Sequence, residues 1–301
     1  MKPKHSIIII TYKREDVLAE SLEHLRGALS RGGVDPADYE VVLVDNDTDG
    51  REKQDLLEGF EQHTYLRMRD NLGVSGGRNA GIRAAKGRYL IFVDDDAFVH
   101  PDRFLELIDQ AFEANPAVGI LAFKSINFYT RTVQAYEFPH TDKSRDPDQP
   151  FKTFRYIGVA HAIRRDVFEK VGLYHEDFFY GMEEFDLSYA AIKQGIEILY
   201  FPAVWVVHKK SPQGRLSNAR VARNSFVNKL KIAHKHLPWR YYLSVGFLWG
   251  GAALIRGRFR VNLPSAFLDF LRWRRENKSL RHPLTPPQIQ YVRQCGGALW
   301  K

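Results

Sequence analysis

Residues 89–96 read Tyr-Leu-Ile-Phe-Val-Asp-Asp-Asp. A compact apolar run stopped abruptly by carboxylates is the pattern of a buried strand whose C-terminal end opens onto a polar loop. Three adjacent carboxylates repel one another unless something cationic shares their site. A divalent ion held between an aspartate and a diphosphate would answer that cost, because hard cations prefer oxygen ligands. On a turning loop one carboxylate would reach the metal while another accepts from a ribose hydroxyl. The plainer alternative is a solvated acidic loop.

Working outward, the flanking sequence repeats the strand–helix rhythm. Ser6–Ile10 is an apolar strand, followed by Thr11, Tyr12 and a helical pattern from Glu15 to Leu29. Tyr39–Val44 is a second strand, closed by Asp45-Asn46-Asp47, and Tyr65–Met68 is a short third. Gly73, Gly76 and Gly77 introduce a helix over 78–85, and Pro101 precedes another over 103–112. Short apolar strands alternating with helices predict an α/β fold with a mostly parallel central sheet and helices on both faces. In such sheets ligands bind beyond the C-terminal strand ends. Asp45 and Asp94–Asp96 both fall at such ends, which points to one site; turn formation by Asp and Asn is the alternative for 45–47.

Downstream, 126–156 reads as an excursion, aromatic at first and then polar. A returning strand is expected over 157–163, a short helix over 165–171 and a strand over 196–201. Between them stands a second acidic group, Glu183, Glu184 and Asp186, after Phe178-Phe179-Tyr180-Gly181 and leading a helix that runs to Lys193. Glu183 and Asp186, three apart, share a helical face while Glu184 points elsewhere. A carboxylate among aromatic rings could act as a general base tuned by partial desolvation, or could simply favour a helix N-terminus. His208 ends the run Val-Trp-Val-Val and could complete an oxygen-rich metal shell. A polar loop over 209–218 then precedes a basic helix over 219–236, where Arg223 could clamp phosphate through paired hydrogen bonds.

The formal charge of +8 hides an asymmetry. Residues 1–207 carry 25 Lys/Arg against 34 Asp/Glu, whereas 208–301 carry 19 against 2. Two surfaces with different partners are expected, the basic one suited to nucleic acid, an anionic membrane or a phosphorylated substrate. Residues 241–255 are uncharged between Arg240 and Arg256. As a helix this stretch would be about 22 Å long, short of a bilayer core of about 30 Å, so packing, a partner interface or contact with one membrane face is expected rather than a span. The apolar run Ile7–Ile10 is too brief for a secretory leader and reads as a strand. A single cysteine, Cys295, excludes an intrachain disulfide framework and a thiolate-rich zinc site.

The ordered set SIIIITYKRED, VVLVDNDTDG, NLGVSGGRNAGI, YLIFVDDDAF, FFYGMEEFDLS, VVHKK and ARNSFV, over roughly residues 5–230, resembles the inverting family-2 glycosyltransferases, in particular their bacterial rhamnosyltransferase-like branch. The resemblance implies a GT-A nucleotide-diphospho-sugar transferase fold over 1–207. Its nucleotide-binding half would be 1–125 and its acceptor and base half 126–207, with 208–301 a basic helical extension that completes the site. It implies that Thr11, Tyr12 and Arg14 lie near the nucleotide and that Asp45 accepts from the donor base. Asn71, Gly76 and Arg78 would stand near base or phosphates, Asp94 and Asp95 nearest the ribose, and Asp96 and His208 at a Mg²⁺ or Mn²⁺ ion. Glu184 takes the general-base position, where the family usually has Asp, and the Arg that often follows the family's Asp-Leu is replaced in Asp-Leu-Ser-Tyr-Ala-Ala. The implied donor is a UDP-sugar or dTDP-rhamnose-like compound, and the implied acceptor a saccharide, lipid-linked or small-molecule hydroxyl. The expected location is cytoplasmic, with the inner membrane face as a peripheral partner and no nucleic acid.

Other readings fit less well. A Rossmann oxidoreductase wants Gly-x-Gly-x-x-Gly after the first strand, where Thr-Tyr-Lys-Arg-Glu-Asp stands. A sugar-nucleotide pyrophosphorylase or other metal-dependent nucleotidyltransferase shares the sheet but lacks its glycine-rich phosphate loop there. A nucleic-acid-binding protein would use the basic extension and its aromatic residues, without a familiar motif.

Overall fold

The computed structural model describes residues 2–210 and 216–299, so residues 211–215 of the expected polar loop lie outside the described residues. In chain order the elements are β1 (His5–Thr11), α1 (Glu15–Arg31), β2 (Tyr39–Asp45), β3 (His63–Arg67), α2 (Gly73–Ala84), β4 (Tyr89–Asp94), β5 (Ala97–His100), α3 (Phe104–Ala114) and β6 (Val118–Asn127). There follow β7 (Phe151–Thr153), β8 (Ala160–Arg164), α4 (Arg165–Val171), α5 (Glu183–Lys193), β9 (Glu197–His208), α6 (Asn218–His236), α7 (Trp239–Arg256), α8 (Leu263–Glu276) and α9 (Pro286–Gln294).

One sheet runs β3-β2-β1-β4-β8-β6-β9-β5, with β7 added beside β9. The sheet is parallel as expected from β3 through β4. Beyond it the sheet is mixed, because β8 lies antiparallel between β4 and β6, and β5 and β7 pair antiparallel with β9. Alternation along β1 divides the core. Ile7 and Ile9 pack with Leu18 and Leu22 of α1 on one face, and Ile8 joins Ile82 of α2 and Leu187 of α5 on the other. Gly81 lets α2 ride close on β1, since a Cβ there would meet Ile8.

Two features of the sheet build the site. The chain leaves β4 at Asp94, turns through Asp95 and Asp96, and re-enters the sheet as β5. Strand β9 continues past its expected end at Phe201: its register against β6 slips between Phe201 and Trp205, around Pro202, which has no N–H to give a ladder. The prolonged strand carries His208 opposite Ala97 and Asn127, beside the aspartate turn.

The basic region is less of a surface than its composition suggests. Lys229, Lys231 and Lys235 of α6 are buried. Lys231 donates to the Asp177 carbonyl at 2.9 Å and Lys235 pairs with Asp186 at 2.6 Å. Residues of α6, α7 and α9 share the core that holds α5 and β8. No helix among the described residues is long and apolar enough to cross a membrane.

Candidate active site

The aspartate turn is held from three sides. Thr11, ending β1, donates to Asp95 Oδ2 at 2.7 Å, and Arg14 bonds Asp95 Oδ1 at 2.7 Å while reaching Asp96 Oδ2 at 3.3 Å. His208 bridges Asp96 through Nε2 at 3.1 Å and Glu137 through Nδ1 at 3.1 Å. Glu137, from the 126–156 excursion, is fixed in turn by Ser125 and Lys210. Burial, reinforced by the charge on Asp96, pushes the Asp94 carboxyl up to about 7; burial pushes Asp95 up to about 6 despite Arg14. Burial disfavours a charged His208, but its hydrogen bonds to Asp96 and Glu137 outweigh that and push it up to about 10. Asp94, Asp96 and His208 each offer a ligand atom, all within 4.8 Å of one another. That set fits a divalent cation: oxygen-rich, with one imidazole. A proton on His208 and a metal ion are two ways to neutralise the same carboxylates.

Across the cleft, the three acids of the second cluster have separate fates. Glu183 accepts from Arg78 at 2.7 Å, and Arg78 also donates to the Gly158 carbonyl at 2.8 Å. Buried Asp186 is bonded by Lys235 at 2.6 Å and His236 at 2.7 Å. Burial works against the Asp186 charge, but those partners hold its carboxyl far below the usual range; burial keeps His236 down near about 4, so it serves as a neutral donor beside the Lys235–Asp186 pair. Burial, with the neighbouring Glu183 charge, pushes Glu184 up to about 7. The loop preceding these acids is clamped by its neighbours. Val74 N–H and the Ser75 hydroxyl donate to the Phe179 and Phe178 carbonyls, and Asn228 of α6 donates to the Gly181 carbonyl. Gly73, at φ 66°, must be glycine, because a Cβ would collide with the Phe179 carbonyl.

Members of both clusters line one cleft of about 570 Å³. Thr11, Tyr12, Arg14, Asn71, Arg78 and Asp94–Asp96 line it, as do Glu183, Glu184 and His208; Asp45, Gly76, Asp186 and Arg223 do not. Asp45 is fully committed elsewhere. Its Oδ1 accepts from the Asp47 N–H, and its Oδ2 from Lys53 and the Tyr65 hydroxyl, both at 2.9 Å. The neighbouring side chain, Asn46, faces the cleft instead. Its Nδ2 donates to the Gly73 carbonyl at 3.0 Å, leaving a buried Oδ1 without a hydrogen-bond partner. Gly76 sits within α2 against Leu72. Arg223 pairs with Asp269 of α8, while Arg220, one turn earlier, lines the cleft. Sequence reasoning missed Asn46, Glu137 and Arg220; only Arg220 carried a signal, as a cation of the same basic helix.

Residues 6–172 match the family described as Glycosyl transferase family 2. The chain belongs to that family. An uncharacterized protein of Haemophilus influenzae is 34% identical over 139 residues, 44% of this transferase and 75% of the relative. Mannosyltransferase PcManGT from Pyrobaculum calidifontis, solved with GDP-Man and Mn²⁺, superposes with a TM-score of 0.57 at 19% identity, covering 98% of this chain and 84% of that one. S. aureus TarS 1–349 in complex with UDP-GlcNAc gives 0.55 at 15% identity, covering 86% and 74%. These structures share the GT-A fold, so the transferase has the architecture its sequence implied.

Proposed function

We propose that this glycosyltransferase moves a hexose from a nucleoside-diphosphate donor to an acceptor hydroxyl with inversion at the anomeric carbon, and that it needs a divalent metal. The observation that carries the reading is a single cleft lined both by a cation-demanding cluster and by a poised carboxylate, Glu184. The related folds solved with GDP-Man and Mn²⁺, and with UDP-GlcNAc, support it.

Asp94, Asp96 and His208 would hold Mg²⁺ or Mn²⁺, which supplies positive charge to offset that developing on a departing diphosphate. Asp95, fixed by Thr11 and Arg14, would accept from the ribose. Asn46 Oδ1, rather than Asp45, would accept the imide N–H of uracil or thymine. Glu184 takes the proton of the acceptor hydroxyl as its oxygen bonds to the anomeric carbon, while the bond to phosphate breaks and its electron pair leaves with the nucleoside diphosphate. Attack opposite the leaving group inverts the anomer, and no sugar–enzyme bond forms. Arg78 pairs with Glu183 beside the base, and burial together with that neighbouring carboxylate leaves Glu184 protonatable near neutrality. Exposed Tyr136 and Phe179 on the cleft rim offer stacking faces for the acceptor, a saccharide, lipid-linked sugar or small molecule. A cytoplasmic enzyme working at the inner membrane face, its extension completing the site through Arg220, belongs to the same proposal.

The test is product analysis with a donor panel, reading the released nucleotide and the anomeric configuration by NMR. A nucleoside diphosphate and an inverted product support the reading; pyrophosphate or a retained anomer overturns it.

A further inference from the structure

The C-terminal helices carry a feature that transfer itself does not use. Eight of the twelve exposed large hydrophobic side chains among the described residues lie between 239 and 268. On α7, Trp239, Leu243, Phe247 and Ile255 are 74%, 72%, 83% and 70% exposed. Their spacing, in multiples of four, sets them in one stripe along the helix. The opposite face, Tyr241, Val245 and Ala253, is buried, so α7 is apolar on both sides and only one side has protein against it. Continuous with the stripe, an apolar groove runs between α7 and α8, open where Gly246, Gly250 and Gly251 put no side chain into it and lined also by Phe247, Ile255 and Phe267.

The charges around this face are mostly of one sign. Arg240, Arg256, Arg258, Arg260, Arg272 and Arg275 are exposed, against only Asp269 and Glu276 in all of α6–α9. Asp269 is already engaged by Arg223 and Arg272. A solvated helix face is polar, and an exposed apolar patch of this extent marks an interaction site. Exposed arginines at both ends of α7 and on α8, with an apolar stripe between the ends, complement anionic phosphate above hydrocarbon.

We infer that the α7 stripe and the α7–α8 groove form a monotopic docking face for an anionic phospholipid bilayer, α7 lying in the plane of the interface. The placement deepens the transferase reading without depending on it. Phe226, which lines the groove, stands six residues along α6 from Arg220, which lines the cleft, about 9 Å along the axis. A docked molecule would present its cleft close to the headgroups, where a lipid-linked acceptor carries its sugar.

The experiment is co-sedimentation of the full chain, without nucleotide, with phosphatidylcholine vesicles and with vesicles containing about 30% phosphatidylglycerol. Binding to the anionic vesicles alone is expected, weakening with salt. It should fall at least about tenfold in Leu243→Glu/Phe247→Glu and in Arg256→Ser/Arg260→Ser. Circular dichroism checks that each variant is folded. Absent binding, equal binding to neutral vesicles, or folded variants that bind like wild type would overturn the inference. So would a wild-type dimer that ignores vesicles and dissociates on the Glu substitutions, since a second copy would then cover the face. Vesicle binding is read without donor or metal, so loss of the transferase reading would not touch it, nor the reverse.

Discussion

The two acidic clusters contain the same functional group, each sends members into the same cleft, and they have been turned to opposite ends. At the β4 turn, burial and then the crowding charge of Asp96 push the Asp94 carboxyl up to about 7, although Arg14 and His208 both reach Asp96. At the head of α5, fixed cations answer two of three: Arg78 takes Glu183, and Lys235 takes Asp186. Glu184 alone is pushed up to about 7 there. A site that leaves several carboxylates short of positive charge recruits a cation; a site that satisfies all but one leaves that one poised to take a proton.

The largest expected effect comes from removing a ligand at the first cluster. Asp96→Asn should lower kcat/KM by about 10⁴-fold, and excess Mn²⁺ should restore little of it. Full activity would erase the distinction between the clusters. At the second cluster Glu184→Gln should cut kcat by about 10³-fold while metal-dependent nucleotide binding stays near wild type. A parallel loss of binding would place Glu184 in the donor site instead. In the wild type, kcat/KM should fall as pH drops through about 7, where Glu184 becomes protonated. Burial resists its charge, so ionisation costs stability as pH rises through that value. Glu184→Gln should therefore gain more in Tm over wild type at about pH 8 than at about pH 5.5.

Asp186→Ala sharpens the comparison from the structural side. It leaves Lys235 and His236 buried without their acceptor and should cost about 3–5 kcal/mol in denaturant unfolding. The wild-type carboxylate, held far below its usual range, contributes stability above the ordinary Asp range that is lost only as pH falls well below it. The smallest effect concerns α6. Arg220→Ala should raise the donor KM about tenfold, whereas Arg223→Ala, which only loosens a half-exposed pair with Asp269, should stay within about twofold. Reversed values would return the phosphate contact to Arg223.

The parallel half was readable because buried parallel strands such as Ile7–Ile10 and Val41–Val44 are continuous apolar runs that end on polar residues. The mixed half was readable only in part: the returning strand, the helix over 165–171 and the helix ending at Lys193 are present as β8, α4 and α5, but β5, β6 and β7 were not anticipated. Strand β5 is four residues long and begins directly after the carboxylates, and β9 hides its second half behind Pro202. That hidden half carries His208 to Asp96, so composition suggested the histidine but only strand register supplies its partner. Asp45 and Asn46 are adjacent, and which one faces the cleft depends on Lys53 and Tyr65, which no local pattern ties to Asp45. The lysines of α6 looked like surface charge because sequence spacing does not reveal that Asp186 and the Asp177 carbonyl wait for them inside.

The central claim is that the first cluster binds a metal together with a nucleoside diphosphate. Titration calorimetry with UDP, TDP, GDP, ADP and NAD, in Mn²⁺ and then in EDTA, tests it most directly. Base-selective diphosphate binding that disappears in EDTA and in Asp96→Asn is expected. Binding unchanged by EDTA, or none by folded protein in Mn²⁺, would contradict it.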